Sequence, residues 1–259
     1  VWMQGRFIPY PMQNNLWRLP QGQQIQCVYG LLDAYRQPRP DKPATFAAWL
    51  QQEFGEGLCE TFMFPYHRKV WAYPLDMLGV EWMGERVAVV DVKRAIRNIL
   101  EKEDDIGWGP NAKFRFPSRG GTGAIWRSMY GRLPAERCWL EKQAVRIDPA
   151  GKVVYFADGD QRPFDLLLST VPLDRLLSMV DGMESLRAET DKLMWSSTHV
   201  IGVGLTAQTP EHLRTKRWLY FPEADCPFYR VTVFSNYSPN TTPASSAASS
   251  LLAHVHESP

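Results

Sequence analysis

Two arginines occupy settings suited to gripping an anion. Arg86 closes Trp82-Met83-Gly84-Glu85-Arg86, and Arg230 ends the run Trp218-Leu219-Tyr220-Phe221-Pro222-Glu223-Ala224-Asp225-Cys226-Pro227-Phe228-Tyr229-Arg230. Aromatic, Gly and Pro residues stiffen the backbone ahead of each guanidinium and supply flat surfaces beside it. A guanidinium mounted in this way can take two phosphate oxygens at once, while an aromatic face covers a base or a sugar. The same local sequences also describe two surface arginines beside core aromatics. Gly120-Gly121-Thr122-Gly123 could offer backbone N–H groups to an anion, lie flat against a ring, or simply open a helix. It is neither Gly-x-Gly-x-x-Gly nor a phosphate loop with its lysine. No Ser/His/Asp or Cys/His arrangement is evident. His67 has no second metal ligand at suitable spacing, and His254-x-His256 reads as solvated, so no metal site is expected.

The elements that must position these residues come from a chain of 259 residues with 44% hydrophobic content, enough for a sizeable core in one or two domains. A formal net charge of +1 gives no basic face for nucleic acid and none for a membrane surface. No apolar run reaches the length of about 18 residues that a membrane span needs. Cys27, Cys59, Cys138 and Cys226 lie far apart, which argues against a zinc site or a disulfide framework and for free thiols in a reducing compartment. A cytoplasmic protein is expected.

Helical signals dominate over 16–97. Thr45 can cap a helix with Phe46, Trp49, Leu50 and Phe54 on its apolar face, stopped by Gly55; a second helix fits 58–63, before Pro65. Asp91 can cap a third that carries Val92, Ala95, Ile96, Ile99 and Leu100. From Trp108 the character changes. A strand is expected over 112–117, then a helix with Ile125, Trp126, Met129, Tyr130 and Leu133 inward. Strands are expected over 141–147, 153–157 and 164–169, a helix over 173–180, and β structure over 199–207 and 218–235. The Ser/Ala/Thr-rich stretch 241–250 reads as a linker.

Read together, Pro9-Tyr10-Pro11-Met12-Gln13-Asn14-Asn15, Phe62-Met63-Phe64-Pro65-Tyr66-His67-Arg68-Lys69-Val70-Trp71, Trp108-Gly109-Pro110-Asn111 and Thr232-Val233-Phe234-Ser235-Asn236-Tyr237 resemble the eukaryotic-type UDP-galactopyranose mutase family, as do the two arginine segments. The likeness runs from about Pro9 to Pro239. It implies a mixed α/β (α+β) class: part of an FAD-dependent flavoprotein fold with two dinucleotide-binding domains, an inserted helical subdomain and an antiparallel substrate sheet. The implied divisions are a connecting segment (1–15), a helical substrate-binding subdomain (16–107), the remainder of the FAD domain (108–198), the substrate sheet (199–240) and a linker-like tail (241–259). The Gly-x-Gly-x-x-Gly unit that opens the family is missing, as is its C-terminal region. The chain therefore reads as the middle of a larger enzyme and, alone, as catalytically silent.

The resemblance also implies roles. Tyr10, Gln13, Phe62, His67 and Trp71 surround a uridine, with His67 standing where the family usually has Asn. Arg86 and Arg230 take the pyrophosphate and stabilise the leaving group, with Tyr220 and Tyr237 as hydroxyl donors; Asn111 and Trp218 lie near the galactose. Gly120, Gly121, Thr122, Gly123, Val145 and Thr170 fall beside FAD. The implied activity is an isomerase that interconverts UDP-galactopyranose and UDP-galactofuranose through an adduct of flavin N5 with the sugar, the cofactor supplying the covalent chemistry. NAD(P)H or another reductant would be required, and a homo-oligomer is possible. The alternatives are an FAD-dependent oxidoreductase of the amine-oxidase or protoporphyrinogen-oxidase type and a non-catalytic nucleotide-sugar binder.

Overall fold

The computed structural model describes residues 1–38, 42–84, 86–106, 113–242 and 248–258. They divide into two units, Val1–Ala124 with Ser196–Pro259, and Ile125–Trp195. In the first unit β1 (Trp2–Met3) pairs antiparallel with β2 (Arg6–Phe7). Short 3-10 turns at Met12–Asn14 and Leu16–Arg18 then lead to α1 (Gln21–Arg36). Thr45 caps α2 (Phe46–Leu58), its Oγ1 accepting from the Ala48 N–H at 3.2 Å. Phe46, Leu50, Phe54 and Leu58 recur every fourth residue and are fully buried, forming a core with Leu16, Leu31 and Met63.

Gly55 kinks α2 rather than ending it. Its φ of 68° and ψ of 170° break the helical geometry, and the helix then resumes. Two constraints require glycine there: the positive φ, and a Cβ that would sit 2.0 Å from the Gly30 carbonyl oxygen of α1. A π-helical turn, Cys59–Met63, runs into α3 (Phe64–Trp71). The expected stop before Pro65 does not occur. Proline falls in the first turn of α3, where its missing N–H costs least. The cap at Asp91 is present, accepting from the Arg94 N–H at 3.1 Å at the start of α4 (Val92–Glu101).

The end of α4 is tied to the segment that holds Tyr10 and Gln13. Asn15 Nδ2 donates to the carbonyls of Pro11 and Asp105, both at 2.8 Å. The Asp105 N–H returns a bond to Asn15 Oδ1 at 2.8 Å, and Asn98 Nδ2 donates to the Asn14 carbonyl at 3.0 Å. Arg94 closes the network on Asp105 at 2.5 Å.

No strand forms over 113–117, the described part of the stretch expected as one. Phe114 and Phe116 are fixed instead by ring contacts, Phe114 stacking on Trp218 at 5.2 Å and Phe116 meeting Tyr237 at 5.0 Å. In the second unit α5 (Gly123–Tyr130) opens at the boundary. Its expected inward residues are exposed: Ile125, Trp126, Met129, Tyr130 and the following Leu133. No described element covers that stripe. β3 (Ala144–Asp148), β4 (Val153–Phe156) and β5 (Gln161–Pro163) make an antiparallel meander. The third strand thus precedes the expected 164–169, because β4 pairs Val153 with Pro163 and leaves 164–169 without a partner strand. The unit ends with α6 (Leu173–Met179) and α7 (Glu184–Thr190).

The first unit closes with β6 (Ser197–Leu205), β7 (Trp218–Tyr220), β8 (Arg230–Val233) and β9 (Ser249–Glu257), arranged β6-β9-β8-β7 and antiparallel throughout. The expected linker-like tail at 241–259 is corrected here. Its 249–257 portion is an inner strand, paired on both sides, and His254 and His256 take part in hydrogen bonds rather than being solvated. The class is mixed α and β, with antiparallel sheets.

The Gly30–Gly55 contact gives a test of the packing. Gly55→Ala should destabilise the fold by roughly 3 kcal/mol or more. Gly22→Ala, where a Cβ on α1 meets no atom within 4 Å, should stabilise it by about 0.5–1 kcal/mol. Denaturant unfolding of both variants checks the pair.

Candidate functional site

Side chains from five separate stretches of sequence line one cavity of about 190 Å³: Tyr10 and Gln13, Phe62 to Trp71, Trp82, Arg86 with Val87, and Tyr220. The aromatic wall is continuous. Phe62 stacks on Tyr66 (5.2 Å, 8°), Tyr66 meets Tyr220 edge-on at 5.3 Å, and Tyr220 lies 5.4 Å from Tyr10. Trp71 and Trp82 pack at 4.5 Å on the same lining.

The polar atoms of this lining are only partly satisfied. Gln13 is buried, and its Nε2 donates to the Ala88 carbonyl at 2.6 Å. That bond orients the amide, and Gln13 Oε1 then has no partner among the described residues. Trp71 Nε1 is likewise buried without a partner. His67 Nδ1 lies 2.8 Å from the Met63 carbonyl, so Nδ1 carries the proton and Nε2 is an acceptor. Burial holds the His67 ring neutral, its pKa lowered to about 4. A lining with one unmet donor, Trp71 Nε1, and one unmet acceptor, Gln13 Oε1, among the described residues on aromatic walls suits a flat ring with a donor–acceptor edge.

Arg86 is exposed at the cavity mouth. Its Nη1 donates to the carbonyls of Trp82 and Met83, the latter at 3.1 Å, so the turn that precedes it orients the guanidinium. Strand register places Arg230. Tyr220 of β7 stands opposite Arg230 of β8, and Arg230 opposite His254 of β9, so the three share one face of the sheet. Trp218 and Thr232 repeat the pattern two residues away. The Arg230 guanidinium lies 5.9 Å from the Trp218 ring and 5.7 Å from the Tyr229 ring. Its Nη2 reaches His254 Nδ1 at 3.5 Å, and its buried Nε has no partner among the described residues. Neither Arg86 nor Arg230 is paired with an acidic side chain among them.

Burial raises the Tyr220 phenol and, further along the sheet, that of Tyr237, so both remain hydrogen-bond donors at neutral pH. Trp218 and Tyr237 sit in an aromatic group with Phe114, next to Arg230 but outside the cavity lining. Asn111 falls outside the described residues. Gly120 and Gly121 have φ of 75° and 62°, the local reason for glycine there, and a Cβ on Gly121 would meet no protein atom. Thr122 and Gly123 lead into α5. Val145 (on β3) and Thr170 belong to the second unit, where both are exposed. A larger groove of about 640 Å³ along α1 and α2 carries Asp33, Glu56 and Glu60; that acidic lining repels an anion. Among the described residues no group of His, Cys, Asp and Glu could hold a metal ion, and no helix is long and apolar enough to cross a membrane.

No protein-family model matches the chain. A solved structure of reduced UDP-galactopyranose mutase is 44% identical, with a TM-score of 0.93 over 99% of this chain. The chain belongs to the UDP-galactopyranose mutase family. It spans 56% of that mutase's length. A putative protoporphyrinogen oxidase from Exiguobacterium sp. 255-15 is 14% identical (TM-score 0.65, over 92% of this chain and 51% of the oxidase). The PF1083 protein from Pyrococcus furiosus is 13% identical (TM-score 0.51, over 87% and 52%). Those two share the fold alone.

Within this mutase-family cleft the structure adds residues that sequence reasoning passed over. Tyr66 stands one helical turn from Phe62, a spacing that could have revealed it. His254 carried an alternating signal in Leu252-Ala253-His254-Val255-His256 that the Ser/Ala-rich stretch before it obscured.

The neutral His67 predicts an acid-sensitive fold. Its ordinary pKa of 6.5 falls to about 4 in the folded chain, so the unfolded chain binds the proton first. Stability is full above pH 6.5 and is lost as pH falls toward 4. His254, also lowered to about 4 but only half-buried, adds a smaller contribution of the same sign. In His67→Gln the fall in unfolding free energy over that window should flatten by about 1.4 kcal/mol per pH unit, measured by urea titrations at several pH values.

Proposed function

We propose that this chain carries the nucleotide-sugar cleft of a flavin-dependent UDP-galactopyranose mutase, an isomerase acting on UDP-galactose. The observation that carries the reading is convergence. An aromatic cavity with an unmet donor and an unmet acceptor adjoins guanidinium groups that no acidic side chain among the described residues neutralises. Uracil has flat faces for the Tyr10, Phe62 and Tyr66 rings. Its imide edge offers an N–H to Gln13 Oε1 or His67 Nε2, and carbonyls to Trp71 Nε1. A diphosphate would lie along Arg86 and Arg230, with Tyr220 and Tyr237 donating to its oxygens. The galactose would then fall toward Trp218 and Asn111.

These residues bind and neutralise charge. Cationic guanidinium groups would stabilise UDP as its bond to the sugar breaks, while the aromatic wall covers the base. FAD, when bound, supplies the nucleophile and accounts for the lack of a protein nucleophile. The residues here fit that cofactor in part. Gly121 has open space beside its backbone, and in the second unit Val145 and Thr170 are exposed. No Gly-x-Gly-x-x-Gly turn for its pyrophosphate occurs in the 259 residues. An oxidoreductase role is not favoured, since the paired arginines serve a diphosphate substrate that such a reaction does not need.

Calorimetry with UDP, uridine and pyrophosphate tests the assignment. Arg86→Ala and Arg230→Ala should each weaken UDP about tenfold or more while leaving uridine nearly unchanged. Tyr10→Ala and Phe62→Ala should weaken UDP far more than pyrophosphate. Unchanged UDP affinity in both arginine variants overturns the reading.

A further inference from the structure

Lys69 of α3 is outside the cavity lining, yet its ammonium is closely engaged. Its Nζ donates to the carbonyls of Phe221 (3.0 Å), Glu223 and Phe228 (3.3 Å). An ammonium has three N–H donors, and here all three reach main-chain carbonyls. Cys226 Sγ lies 3.6 Å away as a fourth neighbour. All these contacts belong to the loop between β7 and β8. Phe221 directly follows Tyr220, and Phe228 precedes Arg230 by two residues. The lysine therefore grips both roots of the hairpin that presents the phenol and the guanidinium.

The other end of the same side chain is anchored in the base wall. Tyr66, His67, Val70 and Trp71 of α3 line the cavity. A second set of contacts joins α3 to the same sheet. His256 Nδ1 bonds the Val70 carbonyl, and Tyr229 OH lies 3.4 Å from His256 Nε2. A loop with two prolines and no regular structure would otherwise leave the β7–β8 hairpin free to shift against α3.

We infer that Lys69 is a positioning residue: it clasps the 221–229 loop to α3 and so sets the spacing between the base-binding wall and Arg230. The inference rests on the cleft being a UDP-sugar site. Lys69 touches no ligand in this scheme, and its effect on binding passes through Tyr220 and Arg230. A nucleoside diphosphate needs both ends at once, whereas a nucleoside needs only the base wall. Loss of the clasp should therefore separate the two ligands.

The test uses the full-length protein with Lys69→Met, which keeps the length of the side chain, and Lys69→Arg, which keeps the donors. Calorimetry compares UDP with uridine, and hydrogen exchange follows the amides of Phe221 and Tyr229, bonded to the carbonyls of Tyr229 and His254 at 3.0 Å each. In Lys69→Met, UDP should weaken about tenfold relative to uridine, with faster exchange confined to the loop. Lys69→Arg should restore most of both, and in an Arg230→Ala background Lys69→Met should cost UDP less than it does in the unaltered protein, the remainder passing through Tyr220. Equal losses for UDP and uridine, or unchanged exchange in the loop, overturn the inference. If the unaltered protein binds neither ligand, the UDP-sugar reading fails, and the exchange of the loop still decides whether Lys69 is a clasp.

Discussion

The cleft depends on the antiparallel register of β7, β8 and β9. Because residues directly opposite across a ladder share a face, one alignment puts Tyr220, Arg230 and His254 in a row. A slip of one residue would turn the Arg230 side chain to the other face and remove it from the site. Pairing on both sides of β8 resists such a slip, and β9 is the strand that supplies the second side. The pairing partner 24 residues further along the chain therefore matters as much as the hairpin that holds the arginine.

Around that row the structure tolerates an electrostatic arrangement that a purely structural core would avoid. Among the described residues the half-buried Arg230 guanidinium has no partner for its Nε and lies near aromatic rings rather than a carboxylate. Gln13 Oε1 and Trp71 Nε1 are also buried without partners among the described residues. Unmet polar atoms of this kind cost about 1–3 kcal/mol each, and a ligand that satisfies them regains that energy on binding. The half-buried Tyr66 and Tyr220, their phenols both raised by desolvation, add donors without adding negative charge. The region is thus set for an anion joined to a flat polar ring.

Tight backbone packing beneath the cleft gives these groups a stable base. Gly30 and Gly55 let α1 and α2 approach at their main chains, and the kink at Gly55 directs the chain into the π-helical turn that holds Phe62. The Asn14, Asn15, Asn98 and Asp105 network fixes the opposite wall, where Gln13 takes its place. Helices position most of the aromatic cavity and strands position Tyr220 and Arg230.

What the sequence determined by itself was local. The caps at Thr45 and Asp91, the buried face of α2 and the strand before Asp158-Gly159 follow from short-range hydrogen bonds and side-chain periodicity, and they could be read directly. The residue types of the cleft were legible too, through motifs resembling the mutase family. Tertiary structure decided which of them meet. Tyr10, Gln13, Phe62, His67, Trp71, Arg86 and Tyr220 line one cavity, whereas Trp218, Arg230 and Tyr237 gather along the adjoining sheet. That partition depends on strand register and on contacts between residues far apart in sequence. The same holds for 249–257: its Ser/Ala-rich approach looks like a linker, and only the open edges of β6 and β8 make it an inner strand. Pro65 shows the limit in the other direction, since a helix breaker in the interior of a helix is harmless in the first turn of a new one. Local chemistry sets what each segment can form, and long-range packing selects the neighbours that turn it into a site.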